Sequence, residues 1–318
     1  MKKFKLGEFE RNSAIVFAIS MLANVVTYLY QIVMGNLLSP ADYGTINTLL
    51  SLSIVIGVPS GIISTLVATY TAKYQAVGKP ELIGGFMHKM LRASVLLACV
   101  VFAAGAALSS IIANVLQIEE TRYILATMVV VAFSCVAPVF SCTLQGVKRF
   151  VPYSINGVLN IAIRLLLSIP FVWMGFGIGG NLAAVILAAF ATAAFCFWRA
   201  RDLFFAPKIE QLHLDRTEIR SYFVSTFWFQ LFLLLMANGD VLLIKTFAAD
   251  PAEVGIYSSG SVIGKISLYL ANAIVPVLLP MVALGQSING GELALSTFKL
   301  LSFLILCFFL LNHFQPLY

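Results

Sequence analysis

The 318 residues are 60% hydrophobic and 11% charged, with a mean hydropathy of +0.95, a balance outside the range of soluble domains. It excludes a water-soluble globular enzyme and makes the bilayer the solvent. The formal net charge of +6 sits on basic segments between apolar runs and requires no nucleic-acid partner, because anionic membrane lipids face such segments.

Windows of roughly 17 to 25 apolar residues, the length that crosses a hydrocarbon core, occur near 13–35, 45–67, 92–113, 123–144, 152–173, 179–198, 222–245, 254–280 and 297–314. They predict an all-α integral membrane protein with nine transmembrane helices. The first run follows the basic stretch MKKFKLGEFER. It is too long for a leader and shows no small-residue cleavage site, so it reads as helix one.

Sixteen of the twenty Lys and Arg residues fall in the N-terminus, 68–92, Lys148 and Arg149, 199–220 and Lys299, whereas the alternate loops carry only Arg122. That asymmetry places the N-terminus in the cytoplasm and the chain in the inner (plasma) membrane as a multi-pass protein.

Between helices one and two the sequence reads LSPADYG at 38–44, and between helices seven and eight ADPAEVG at 249–255. In each copy a side-chain oxygen acceptor, Ser39 or Asp250, precedes proline, alanine and an acid, the order of a helix start. Capping does not account for the shared Gly44 and Gly255. The two copies lie 211 residues apart and join helix pairs running in the same direction, which predicts a parallel pseudo-two-fold repeat of six-helix units. The expected organisation is a six-helix bundle at 1–198, a basic cytoplasmic linker at 199–220 and an incomplete three-helix bundle at 221–318.

LLSPADYG at 37–44, LQGVKRF at 144–150 and NGDVLLIKTFAADPAEVGIYSSGSVIGKI at 238–266 resemble the polysaccharide-biosynthesis branch of the multidrug/oligosaccharidyl-lipid/polysaccharide (MOP) exporter superfamily. These are the flippases of O-antigen and capsule precursors in lipopolysaccharide and cell-envelope synthesis. The resemblance covers essentially the whole chain and implies two six-helix bundles around a central cavity. This sequence supplies the first bundle and three helices of the second, ending in FLILCFFLLNHFQPLY, which reads as an interrupted frame.

Polar groups inside spans are where function is expected, since a central Lys, Arg or Asp costs roughly 2.5 to 3.5 kcal/mol on insertion scales. Asn156, Asn160, Arg164 and Ser168 recur every fourth residue of helix five, and Ser261, Lys265, Tyr269 and Asn272 form a similar face in helix eight. Helix one adds Asn24, Thr27, Tyr28 and Gln31, and helix seven adds Gln230, Asn238 and Asp240. For the uncharged residues, interhelical hydrogen bonding competes with a cavity role. Asp240 is either an ion-pair partner of Arg164 or Lys265, or a carrier of a coupling proton. Lys245, near the outer end of helix seven, is expected to snorkel.

The first six windows contain no acid, so the expected cargo is anionic. Resemblance supplies its class, a polyprenyl-diphosphate sugar, with Arg164 and Lys265 holding the phosphates while the bundles alternate access. Rival readings are a drug exporter for cations, a membrane-embedded polymerase or glycosyltransferase, and an inactive truncated scaffold. The expected partners are the lipid-linked oligosaccharide, membrane lipids, and the glycosyltransferases and polymerase of a polysaccharide pathway. The five cysteines lie in apolar runs and the three histidines are scattered, so neither metal nor cofactor is expected.

Overall fold

The computed structural model describes residues 6–78, 81–205 and 216–265. Leu22–Ile263 form one compact unit, and a second comprises Met1–Met21 and Gly264–Tyr318. In the second unit the described residues, 6–21 and 264–265, are helical. All packing below belongs to the first unit.

Every described element is a helix, as a bilayer demands of a chain that must satisfy its own backbone hydrogen bonds. In order these are α1 (Leu6–Leu37), α2 (Pro40–Ile56), α3 (Val58–Ala76), α4 (Glu81–Ala107), α5 (Ser109–Val115), α6 (Thr121–Val136), α7 (Pro138–Gly146), α8 (Phe150–Phe171), α9 (Gly177–Phe204), α10 (Arg216–Phe247) and α11 (residues 251–265). A π-helical turn, Val172–Phe176, links α8 to α9.

Five of the described helical segments are long and apolar enough to cross a membrane, or six if the bent pair α2–α3 is one span. The longest, Phe150–Phe204, doubles back on itself. Gly175 and Gly177 there have φ of 88° and 48°, conformations that residues with a Cβ rarely adopt, and α8 packs along α9 beyond them. The windows from 13–35 through 222–245 each fall on described helices. The window at 254–280 is described only to residue 265, and 297–314 lies outside the described residues, as does the part of the nine-helix reading that rests on it.

Three windows expected to be single helices are broken, the one at 92–113 at Leu108 between α4 and α5. The one at 45–67 bends by 50° between α2 and α3, where Gly57 ends one helix and Pro59 stands in the first turn of the next. Proline lacks the N–H that would continue the hydrogen-bond ladder. Pro138 marks the corresponding break between α6 and α7.

The helices close on several apolar clusters. Leu49 of α2, Ile124 and Met128 of α6 and Leu182 of α9 pack with Leu116 and Ile118 around one centre, and Leu242 of α10 packs against it. Tyr30 and Met34 of α1, Tyr43 and Ile46 of α2 and Ile161 of α8 form another. The opposite faces carry bare apolar side chains, Leu166 at 68% exposure and Met236 at 87%, which suits lipid rather than water.

Candidate functional site

The second of those clusters encloses a polar interior. Tyr30 is 1% exposed, and Asn181 and Ser168 are fully buried. Tyr30 donates its hydroxyl proton to Asn181 Oδ1 at 3.0 Å, and Asn181 Nδ2 donates to Ser168 Oγ at 3.3 Å. This network ties α1, α8 and α9 together and fixes the ring of Tyr30.

Arg164, one turn before Ser168 on α8, lays its guanidinium over that ring with Cζ 4.0 Å from the centroid. Stacking of this kind stabilises a desolvated guanidinium by up to about 2 kcal/mol. It leaves the N–H groups in the ring-parallel plane free to donate. Arg164 Nε and Nη2 are buried and have no hydrogen-bond partner among the described residues. A cation in that condition is incomplete, since an unsatisfied buried charged donor costs well over about 1 kcal/mol. A planar fork of unsatisfied donors is the complement of a carboxylate or a phosphate.

Further along the same face, Asn160 donates from Nδ2 to Thr192 Oγ1 on α9 at 3.2 Å, and Asn156 is half-buried one turn earlier. On α1, Gln31 Oε1 accepts from Tyr43 OH at 3.0 Å, Thr27 bonds the carbonyl of Ala23, and Asn24 is half-buried with a partner of its own. Tyr28 is turned outward at 37% exposure. The structure therefore gathers Arg164 and Ser168 with Tyr30 and Asn181, neither of which was expected from sequence. Both carried a signal: each is a polar residue inside an apolar window.

Asp240 on α10 does not pair with Arg164. Its Oδ2 accepts from Tyr257 OH at 3.0 Å and Ser261 Oγ at 3.2 Å, both on α11, while Oδ1 is buried without a partner among the described residues. Lys265 is the last described residue and lies in the other compact unit; Tyr269 and Asn272 lie outside the described residues.

Lys245 corrects an expectation. It does not snorkel, being 4% exposed, and its Nζ donates to Thr45 Oγ1 of α2 at 3.3 Å. The packing of α10 against α2 encloses it.

A recess of about 280 Å³ opens at the α2–α3 break, lined by Ser53, Gly57, Ser60, Gly61, Ser134 and Gln230 among others. The amide of Gln230 faces Gly61 so closely that a Cβ there would stand 2.5 Å from Oε1. Among the described residues no group of three or more His, Cys, Asp or Glu could hold a metal ion.

The sequence matches the family model described as polysaccharide biosynthesis protein over residues 9–286. None of the curated proteins matches it. Among solved structures, the fold is similar to a MATE in complex with Br-NRF (TM-score 0.61, 15% identity, 84% of this chain and 63% of that one). It is likewise similar to an inward-facing MATE-family multidrug resistance transporter of the MOP superfamily (TM-score 0.58, 15% identity, the same coverage). A third is a MOP superfamily transporter from Pyrococcus furiosus described as having reversed polarity of its binding pocket (TM-score 0.56, 17% identity, 84% and 61%). The chain spans less than two thirds of the length of these structures.

Proposed function

We propose that this chain, which belongs to the polysaccharide biosynthesis protein family, is a MOP-superfamily transporter that moves an anionic lipid-linked oligosaccharide, a polyprenyl-diphosphate sugar, from the cytoplasmic to the outer leaflet by alternating access. The observation that carries this reading is Arg164, a guanidinium stacked on a buried tyrosine with two buried N–H-bearing nitrogens that have no acceptor among the described residues. A phosphate oxygen completes it. Asn160, Asn156, Asn24 and Gln31 accommodate the glycan, and the isoprenoid stays in lipid. Asp240, already held by two hydroxyls, carries the coupling charge.

Positive-inside bias puts the N-terminus in the cytoplasm and Pro40 and Pro251 on the outer side. Transport needs no covalent step, so no catalytic residue is required. A cation exporter of the same fold would want its acid facing the cargo; here Asp240 Oδ2 is engaged by Tyr257 and Ser261, and among the described residues Arg164 leaves two buried nitrogens without acceptors against the single oxygen Oδ1 of Asp240.

The test is reconstitution of the purified chain in liposomes with a fluorescent polyprenyl-diphosphate sugar, reading the fraction protected from an external quencher. Translocation without a new glycosidic bond is the expected result. A new bond would make the protein an enzyme, and no movement would remove the flippase reading.

A further inference from the structure

The two Pro-Ala-acid-x-Gly stretches meet. A Cβ on Gly44 would stand 2.7 Å from the backbone nitrogen of Gly255 and 3.0 Å from Val254, and a Cβ on Gly255 would collide with the carbonyl of Pro40. Backbone thus lies on backbone where α2 and α11 begin, and only glycine permits it. Next to this contact Lys245 reaches Thr45. Gln117, held at a φ of 50°, donates from Nε2 to the carbonyl of Thr246 at 3.1 Å.

These contacts all join α2 and the 116–118 turn to the end of α10 and the start of α11. They are close in shape but incompletely matched in charge: the Lys245 ammonium, 4% exposed, is hydrogen-bonded to a neutral hydroxyl, and the field of the Glu119 carboxylate offsets only part of its desolvation. A buried ammonium so matched favours any state that lets water reach it, whereas the glycine contact favours closure.

We propose that the paired glycine corners, with Lys245 and Gln117, form a removable seal at this end of the protein, shut in this structure and parting when the cargo leaves on the outer side. The inference rests on the transport reading. Closure is set by the fit of Gly44 on Gly255, and reopening by the cost of keeping Lys245 dry.

Thr48 reports on it. It lies one turn from Gly44 on the same face of α2, is fully buried, and bonds the carbonyl of Gly44 at 2.8 Å. With Thr48→Cys introduced into the full chain, a membrane-impermeant maleimide is added from outside, and labelling is counted above that of the protein without this cysteine. Labelling is expected to be slow. Gly255→Leu should speed it about tenfold by wedging the corners apart, and Lys245→Met should slow it about fivefold by removing the charge that favours opening. Should Gly255→Leu fail to accumulate, Lys245→Met alone decides the matter. Unchanged or faster labelling in Lys245→Met, or fast labelling in the unaltered seal, overturns the proposal. No cargo is needed for this readout. Labelling that responds as stated in a protein that moves no lipid-linked sugar leaves the seal standing and removes the flippase reading, and translocation with indifferent labelling does the reverse.

Discussion

Arg164 and Lys245 are both enclosed cations, yet their surroundings solve different problems. A guanidinium is planar and weakly hydrated, so an aromatic face can hold it while its edge still donates. Lys245 is a compact, strongly hydrated charge, and one threonine hydroxyl 3.3 Å away satisfies it poorly. The first arrangement waits for an anion; the second waits for water. Replacement therefore separates the two. Arg164→Lys should retain a charge but lose the fork, so cargo binding should weaken by roughly tenfold, with membrane abundance unchanged. Tyr30→Phe keeps the ring under Arg164 and removes the hydroxyl that Asn181 depends on. It should lower stability by about 1 to 2 kcal/mol, seen as an earlier melting transition in detergent, with little effect on binding. If Tyr30→Phe instead abolished binding at unchanged stability, the hydroxyl rather than the ring would be the supporting element.

Among helices, the residues that cap and the residues that pack are different members of one short stretch. Ser39 caps α2, its Oγ accepting from the backbone N–H of Asp42 at 3.1 Å, and the α11 start uses Asp250 Oδ1 on the N–H of Ala252 at 2.9 Å. Asp42→Asn should then cost no more than about 1 kcal/mol, chiefly the lost interaction with the helix dipole. Gly44→Leu has no room against Gly255 and should lower membrane abundance and protease resistance far more. Equal tolerance of the two changes would mean that α2 and α11 are not in contact at this corner.

The sequence made these helix starts legible because capping is local, but it could not show that the two glycines touch, a contact between residues 211 positions apart. Likewise the apolar windows from 13–35 through 222–245 fell on described helices yet missed the bend at Gly57 and the break at Pro138. Hydropathy sums over a window and is blind to a single missing N–H. The polar residues were read by depth and by their spacing along a helix face. That found Arg164 but overlooked Tyr30 and Asn181, and it assigned Thr and Ser to interhelical bonds when many of their hydroxyls bond a carbonyl three or four residues back on their own helix, as Thr45, Thr127 and Thr143 do.

For the whole molecule, topology and charge must agree. A reporter fused after Phe205 should read cytoplasmic and one fused at Asp250 external, since α10 lies between them and is apolar enough to cross. The same side for both would mean that α10 does not span, and Lys245 and Arg164 would then have no fixed relation to the two faces. Anion selectivity is the larger claim. The direct measurement is binding to the purified protein of three ligands: a polyprenyl-diphosphate sugar, the same lipid without phosphate, and a cationic aromatic dye, each against wild type and Arg164→Ala. The diphosphate lipid should bind tightest and lose about 10- to 100-fold with Arg164→Ala, the loss of one or two charge-assisted hydrogen bonds, while the other two bind weakly and are indifferent to the substitution. Preference for the cation, or a diphosphate affinity untouched by Arg164→Ala, would contradict an anion site.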